Sequence, residues 1–190
     1  METEIKHKSV DEFSVKTLEI GGVDIIKASL HLPFGNKNKP GEYDPVLIAF
    51  PYENLPAYMV PEADVKLLSS LVKSGDDHAK VLRGVVVWCE INAPRYFWQE
   101  MDRYRIGCEC LSSESTMHIQ GRGLKEDELV EMKENLVEGT MQKRVWMFSY
   151  QTLRRIYFQR RKHRLPQWRK FCEWIEQLPF AKEFITISNG

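Results

Sequence analysis

The sequence has no apolar run longer than a strand. The longest, "VLIAF" and "VVVWC", cover residues 46–50 and 85–89, where a membrane-crossing helix needs about 20 consecutive apolar residues. The opening residues "METEIKHKSVDEF" lack the apolar core of a secretory signal, so the expected compartment is the cytoplasm. Cysteine is scarce. Cys89, Cys108, Cys110 and Cys172 fit no small secreted disulfide scaffold and read as thiols. Cys108 and Cys110 could supply two zinc ligands, but no second ligand pair stands at finger-like spacing, which favours ordinary core or loop thiols. The chain also lacks a Gly-x-Ser-x-Gly elbow, an internal repeat and a low-complexity tract. Between Glu138 and Glu173 it lacks any acidic residue.

That last absence matters because the whole chain is neutral, with 27 Lys and Arg against 27 Asp and Glu. Neutrality hides a basic segment, residues 143–170, with Lys143, Arg144, Arg154, Arg155, Arg160, Arg161, Lys162, Arg164, Arg169 and Lys170. Such a segment attracts phosphates, whether in a nucleotide, a cofactor or a polynucleotide. It reads equally as a solvated helix face, or as one that pairs with the acidic stretch "LKEDELVEMKENLVEG" of another subunit.

A chain of 190 residues, 43% hydrophobic and 28% charged, is expected to form one ordinary domain over 1–190, with a strand- and loop-rich N-terminal part over 1–50. "KTLEIGGVDIIKASLHL" carries Gly21-Gly22 between strand-like runs and predicts a hairpin. "PFGNKNKPGEYD" reads as a loop, and "PVLIAF" as a buried strand or a short helix. Val65, Leu67, Leu68, Leu71 and Val72 form a helical stripe that ends near Ser74-Gly75. "VLRGVVVWCEI" has the β-branched density of a central strand. Asn92 as N-cap with Pro94 just inside predicts a helix from 93 to about 105, with Arg95, Gln99 and Arg103 as its polar stripe and Arg105 on another side. After a polar loop, residues 124–138 predict an amphipathic acidic helix between Gly123 and Gly139. "RVWMFSYQTLRRIYFQRRKHRLPQWRKFCEWIEQLP" reads as two helices separated near Leu165-Pro166. The expected class is α+β, a central antiparallel or mixed sheet with helices and a mainly helical second half.

The order strand, helix, Arg103-Tyr104-Arg105, seven residues, Ser113 resembles the flavin-dependent thymidylate synthases (ThyX), whose signature is Arg-His-Arg followed seven residues later by Ser. It is closer still to a divergent phage- and prophage-associated branch that reads W-x-x-x-x-x-Y-[KR]-[VI]-G and then S-T-M-H, here Trp98, Tyr104, Arg105, Ile106, Gly107 and Ser115-Thr116-Met117-His118. The resemblance covers roughly residues 60–180. It implies a ThyX-like fold, FAD as cofactor, NADPH and methylenetetrahydrofolate as co-substrates, and methyl transfer to deoxyuridylate (dUMP). It also implies a homo-oligomer, a tetramer, that builds each site from several subunits. Arginines suit such a task because a guanidinium grips phosphate through two donors and stacks on rings. By resemblance Arg103, Tyr104, Arg105 and Gln99 would hold the cofactor. Ser112, Ser113, Ser115, Arg154 and Arg164 would bind the nucleotide, and Ser113, Arg160 and Arg161 would act in catalysis.

The chain departs from the family at three places. Tyr104 replaces the signature histidine, "ESTMH" replaces Gly-Arg-Tyr-Ser after Ser113, and "LPQWRKF" replaces the C-terminal Ala-Gln-x-Glu-Ile-Arg. These leave a second reading, a catalytically inactive phage or mobile-element relative that binds a nucleotide, a nucleic acid or a host protein through residues 143–170. A hydrolase built on Ser112, Ser113, Ser115, Thr116 and His118 is disfavoured, since hydroxyls after a helix usually satisfy backbone amides. Glu109 and Glu114 as an acid–base pair are disfavoured because loop carboxylates are usually solvated. Trp88, Trp98, Trp146, Trp168 and Trp174 are spread as packing residues would be.

Overall fold

The run Val86–Pro94 alternates at the two-residue period of a half-buried strand, with Val87, Cys89, Ile91 and Ala93 fully buried. As β4 it is one of two inner strands of the main sheet in the computed structural model, which describes residues 8–34, 45–48 and 58–188. The strands β1 (Ser14–Gly21), β4, β5 (Cys108–Ser113) and β6 (Met141–Ser149) form one antiparallel sheet in the order β1-β4-β6-β5. A separate antiparallel pair joins β2 (Pro45–Ile48) to β3 (Tyr58–Pro61). The α-helices are α1 (Lys8–Asp11), α2 (Ile25–His31), α3 (Glu62–Lys73), α4 (Arg95–Met101), α5 (Thr116–Ile119), α6 (Glu126–Glu134), α7 (Tyr150–Arg160) and α8 (Pro166–Glu176), with short 3-10 turns over Leu32–Phe34 and Lys80–Arg83 and a π-helical turn over Ala181–Ile185. The mixed class with an antiparallel sheet is as expected.

The core is aromatic. Phe97 of α4 packs on Trp168 of α8 with ring centroids 4.4 Å apart, and Trp98 stacks parallel to Trp146 of β6 at 6.3 Å. Phe148 and Phe171 extend the cluster, and the indole of Trp174 donates to Thr17 Oγ1 of β1 at 3.0 Å. These tryptophans are buried among other rings, as packing residues are. The α3 stripe buries Val65, Leu68 and Val72 and ends at Ser74-Gly75, where Gly75 takes φ +117°.

Four sequence expectations are corrected. Gly21-Gly22 makes no hairpin: β1 pairs with β4, and residues 25–31 are helical because Ile26 and Leu30, four apart, turn to the core. Gly22 serves a close approach instead, since at φ +80° its added Cβ would lie 1.8 Å from the Gly84 carbonyl oxygen. Asn92 is no N-cap. The strand runs on to Pro94, Asn92 Nδ2 donates to the Glu12 carbonyl at 3.0 Å, and α4 ends at Met101, so Arg103 and Arg105 both lie beyond the helix. The polar loop after them is in part the edge strand β5, whose residues other than Cys108 are exposed. Finally, "RVWMFS" is no helix but the second half of β6, pairing with β4 and β5 at once. The expected loop over 33–44 falls almost wholly outside the described residues, as does the end of "PVLIAF".

Candidate functional site

The polypeptide leaving α4 is fixed by one buried side chain between two exposed arginines. Tyr104 donates its hydroxyl proton to Gln159 Oε1 at 2.9 Å and accepts from Arg160 Nε at 2.7 Å. Its ring meets Trp168 edge-on at 6.0 Å. Arg103 and Arg105 on either side are exposed, and their guanidinium groups make no hydrogen bond or ion pair with any described residue. Two residues on, Gly107 adopts φ +70°. Its carbonyl accepts from Ser149 N at 2.7 Å and the Ile106 carbonyl accepts from Thr152 Oγ1 at 2.7 Å, which docks the loop on the first turn of α7. The tyrosine and glycine of the loop therefore have packing reasons, and the two arginines are left for something outside it.

The adjacent Arg160 and Arg161 have different surroundings. Arg160 lies over the Trp168 ring at 4.4 Å, reaches Tyr104, and forms an ion pair with Glu100. Glu100 also accepts from Trp168 Nε1 at 3.0 Å and lies 3.5 Å from His163 Nε2. Arg161 is exposed, with its guanidinium over Phe158 at 4.9 Å and Tyr157 at 5.8 Å.

Arg161 opens onto a cleft of about 420 Å³ lined also by Asp76, Arg154, Arg155, Phe158, Gln159 and Ser188. Arg154, Phe158 and Arg161 share one face of α7 by their i, i+4, i+7 spacing. Arg154 is buried. It donates to the carbonyls of Ile185, at 2.9 Å, and of Ile187, and lies over Phe158 at 4.9 Å, so it holds the C-terminal segment as one wall. Burial lowers its pKa, partly opposed by Asp76 at 3.7 Å. The Arg155 side chain has no hydrogen-bond or ion-pair partner among the described residues. It opposes the burial that pushes the Cys108 thiol up to about 11. Because Gln159 lines the cleft and accepts from Tyr104, the cleft and the Arg103–Arg105 loop are neighbours.

The remaining expected residues are dispersed. Ser112 and Ser113 are exposed on β5, opposite Val145 and Arg144. Five strand steps of about 3.4 Å separate Ser113 from Cys108, about 17 Å in all, so within one chain Ser113 lies far along the strand from Arg105. Ser115 caps α5, accepting from His118 N at 3.4 Å. Gln99 donates to Glu138 at 2.7 Å, and Arg164 is exposed. Much of the basic segment is engaged internally: Arg144 with Asp102 at 2.9 Å, Arg169 with the His163 and Arg164 carbonyls, Lys170 with the Val10 carbonyl. Arg155, Phe158 and Asp76 were missed as site residues. The helical spacing of Arg154, Phe158 and Arg161 was the available signal.

Two crystal structures of thymidylate synthase ThyX from Helicobacter pylori, both solved with FAD and dUMP, superpose on this chain with TM-scores of 0.63 and 0.62. They cover 90% and 91% of it, and 97% and 96% of their own lengths. The fold is that of ThyX. Identity is 13% to each, so the likeness is one of architecture. No family model and no curated protein matches the sequence. In this ThyX-like fold the Arg-Tyr-Arg loop and the α7 cleft lie side by side, and no helix of the described residues is long and apolar enough to cross a membrane.

Proposed function

We propose that the chain binds FAD and a pyrimidine nucleotide of the dUMP type and acts as a flavin-dependent thymidylate synthase, with methylenetetrahydrofolate as one-carbon donor and NADPH as reductant. The observation that carries this reading is the α7 cleft beside the Arg103–Arg105 loop in a ThyX-like fold. Its donor set fits phosphate-bearing ligands. Arg103, Arg105 and Arg155 have no carboxylate partner among the described residues, and unpaired guanidiniums are the usual receivers of phosphoryl oxygens. Bound there, the flavin would supply reversible two-electron transfer.

The chain's own work is positioning. Arg103 and Arg105 hold ligand phosphates, held apart by the anchored Tyr104. Arg161 orients the pyrimidine, and Arg155 adds charge at the cleft mouth. Arg154 keeps the wall in place, and Arg160 acts through Tyr104 and Glu100 rather than on ligand. Ser113, about 17 Å along β5, reaches a nucleotide phosphate at a cleft of another copy, so the site is assembled by a homo-oligomer, a tetramer in the family pattern. Ile106, Leu111, Met117, Ile119, Val130 and Val137 are all exposed along 106–137. This concentration of exposed apolar side chains in one stretch of the chain is consistent with burial against a second copy.

The test is spectroscopic first. Freshly purified protein should be yellow or take up added FAD, bleach with NADPH and convert dUMP. Arg161→Met should lower kcat/KM by about 10²-fold or more, the usual consequence of losing one aligned donor. A colourless protein that takes up no FAD on titration ends the reading.

A further inference from the structure

A second pocket lies on another side of α4. Arg95, Gln99 and Asp102 form an i, i+4, i+7 stripe there, facing Gln142 and Arg144 of β6 across about 220 Å³, with Trp98 as floor. Arg144 lies over the Trp98 ring at 4.5 Å, donates through Nη1 to Asp102 Oδ1 at 2.9 Å and Oδ2 at 3.2 Å, and through Nε to Gln142 Oε1 at 3.2 Å. Gln99 gives its amide to Glu138 at 2.7 Å. Arg95 has nothing: its guanidinium makes no hydrogen bond or ion pair with any described residue, and its Nε is buried without an acceptor.

A buried N–H without a partner is costly, and the cost is greater on a charged group. Asp102 cancels the charge of Arg144, and that of Arg95 meets no ion-pair partner among the described residues. From this geometry we infer that the pocket is a phosphoryl-anion site, with Arg95 as its principal ligand and the outer edge of Arg144 as its second. A guanidinium matches a phosphoryl group with two parallel donors. At about 30 Å³ per water the pocket has room for roughly seven waters, enough for a phosphate. The site does not depend on the flavin reading. It is lined by different residues from the α7 cleft, and the anion is either free inorganic phosphate or the phosphate of a nucleotide.

Inorganic phosphate, dUMP and acetate should be titrated calorimetrically into the full chain, its Arg95→Met and Arg95→Lys variants, and, as control, a Lys66→Met variant at an exposed position of α3. Phosphate is expected to bind the native chain, at least about tenfold more weakly to Arg95→Met, about 1.4 kcal/mol, with partial retention in Arg95→Lys and no change in Lys66→Met. A parallel loss for dUMP identifies a nucleotide as the source, and a loss confined to inorganic phosphate identifies the free ion. Since the Arg95 guanidinium has no partner among the described residues, Arg95→Met should melt at the native temperature. If it fails to fold, Arg95→Lys carries the comparison. No phosphate binding by the native chain, equal affinity in Arg95→Met, or acetate binding as well as phosphate overturns the assignment.

Discussion

Replacing Arg160 by Met should unfold the protein more readily, while replacing its neighbour Arg161 should not. The Arg160 side chain is 15% exposed and its partner Glu100 26%, so the pair is mostly shielded from water. Breaking a fully buried pair costs roughly 3–5 kcal/mol. Here the residual exposure, and the Trp168 and His163 contacts that remain on Glu100, bring the expectation down. Loss of the ion pair, of the 2.7 Å hydrogen bond to Tyr104 and of the stacking on Trp168 should together cost about 2–3 kcal/mol. For a chain of this length that lowers Tm by roughly 4–12 °C. Arg161→Met, at an exposed position, should stay within about 0.5 kcal/mol. Urea unfolding followed by tryptophan fluorescence measures both. A double-mutant cycle with Glu100→Gln should return a coupling of about 1–2 kcal/mol. If Arg160→Met proves as harmless as Arg161→Met, or the cycle is additive, the keystone role of Arg160 is wrong.

Gly107→Ala should destabilise by about 2 kcal/mol or more, because it meets both a left-handed φ of +70° and Thr152 Oγ1 at 2.5 Å from the new Cβ. Gly123→Ala, at φ +86° with nothing within 4 Å, should show only the backbone strain of about 1 kcal/mol; equal Tm losses in the two would refute the steric part. Of the four free thiols only Cys110 is exposed, so a thiol reagent should titrate one fast group in the native chain and four after denaturation. Burial pushes Cys108 up to about 11 and Cys172 up to about 12 from 9.0. The folded state thus holds these protons more tightly, and the associated stability is complete below pH 9 and lost as pH rises from there towards 12. Chemical denaturation at stepped alkaline pH reads it, and a Cys172→Ala variant should flatten the decline.

The elements legible in the sequence were those whose burial is periodic. β4 alternates, α3 carries its stripe, and Pro166 separates α7 from α8. β5 was hidden because an edge strand exposed on both faces has no alternation to read, and β6 because its aromatic run serves two partner strands at once. The spacing from Arg105 to Ser113 was visible, but not that most of it is extended strand. The identity of Arg160 and Arg161 as neighbours concealed that one faces Glu100 and the other a cleft. The sequence placed Arg95 and Gln99 on one polar stripe, but an unpaired charge can be recognised only when its surroundings are known.

The hydroxyl of Tyr104 is shared between helix α7 and the loop that bears Arg103 and Arg105. A displacement of either is thereby passed to the other through that phenol, alongside the Ile106 and Gly107 carbonyls that bond Thr152 and Ser149. A molecule held at the two flanking guanidiniums and one held in the α7 cleft would sense each other's presence mechanically, and trimming that phenol to Phe would loosen the link without removing any charge.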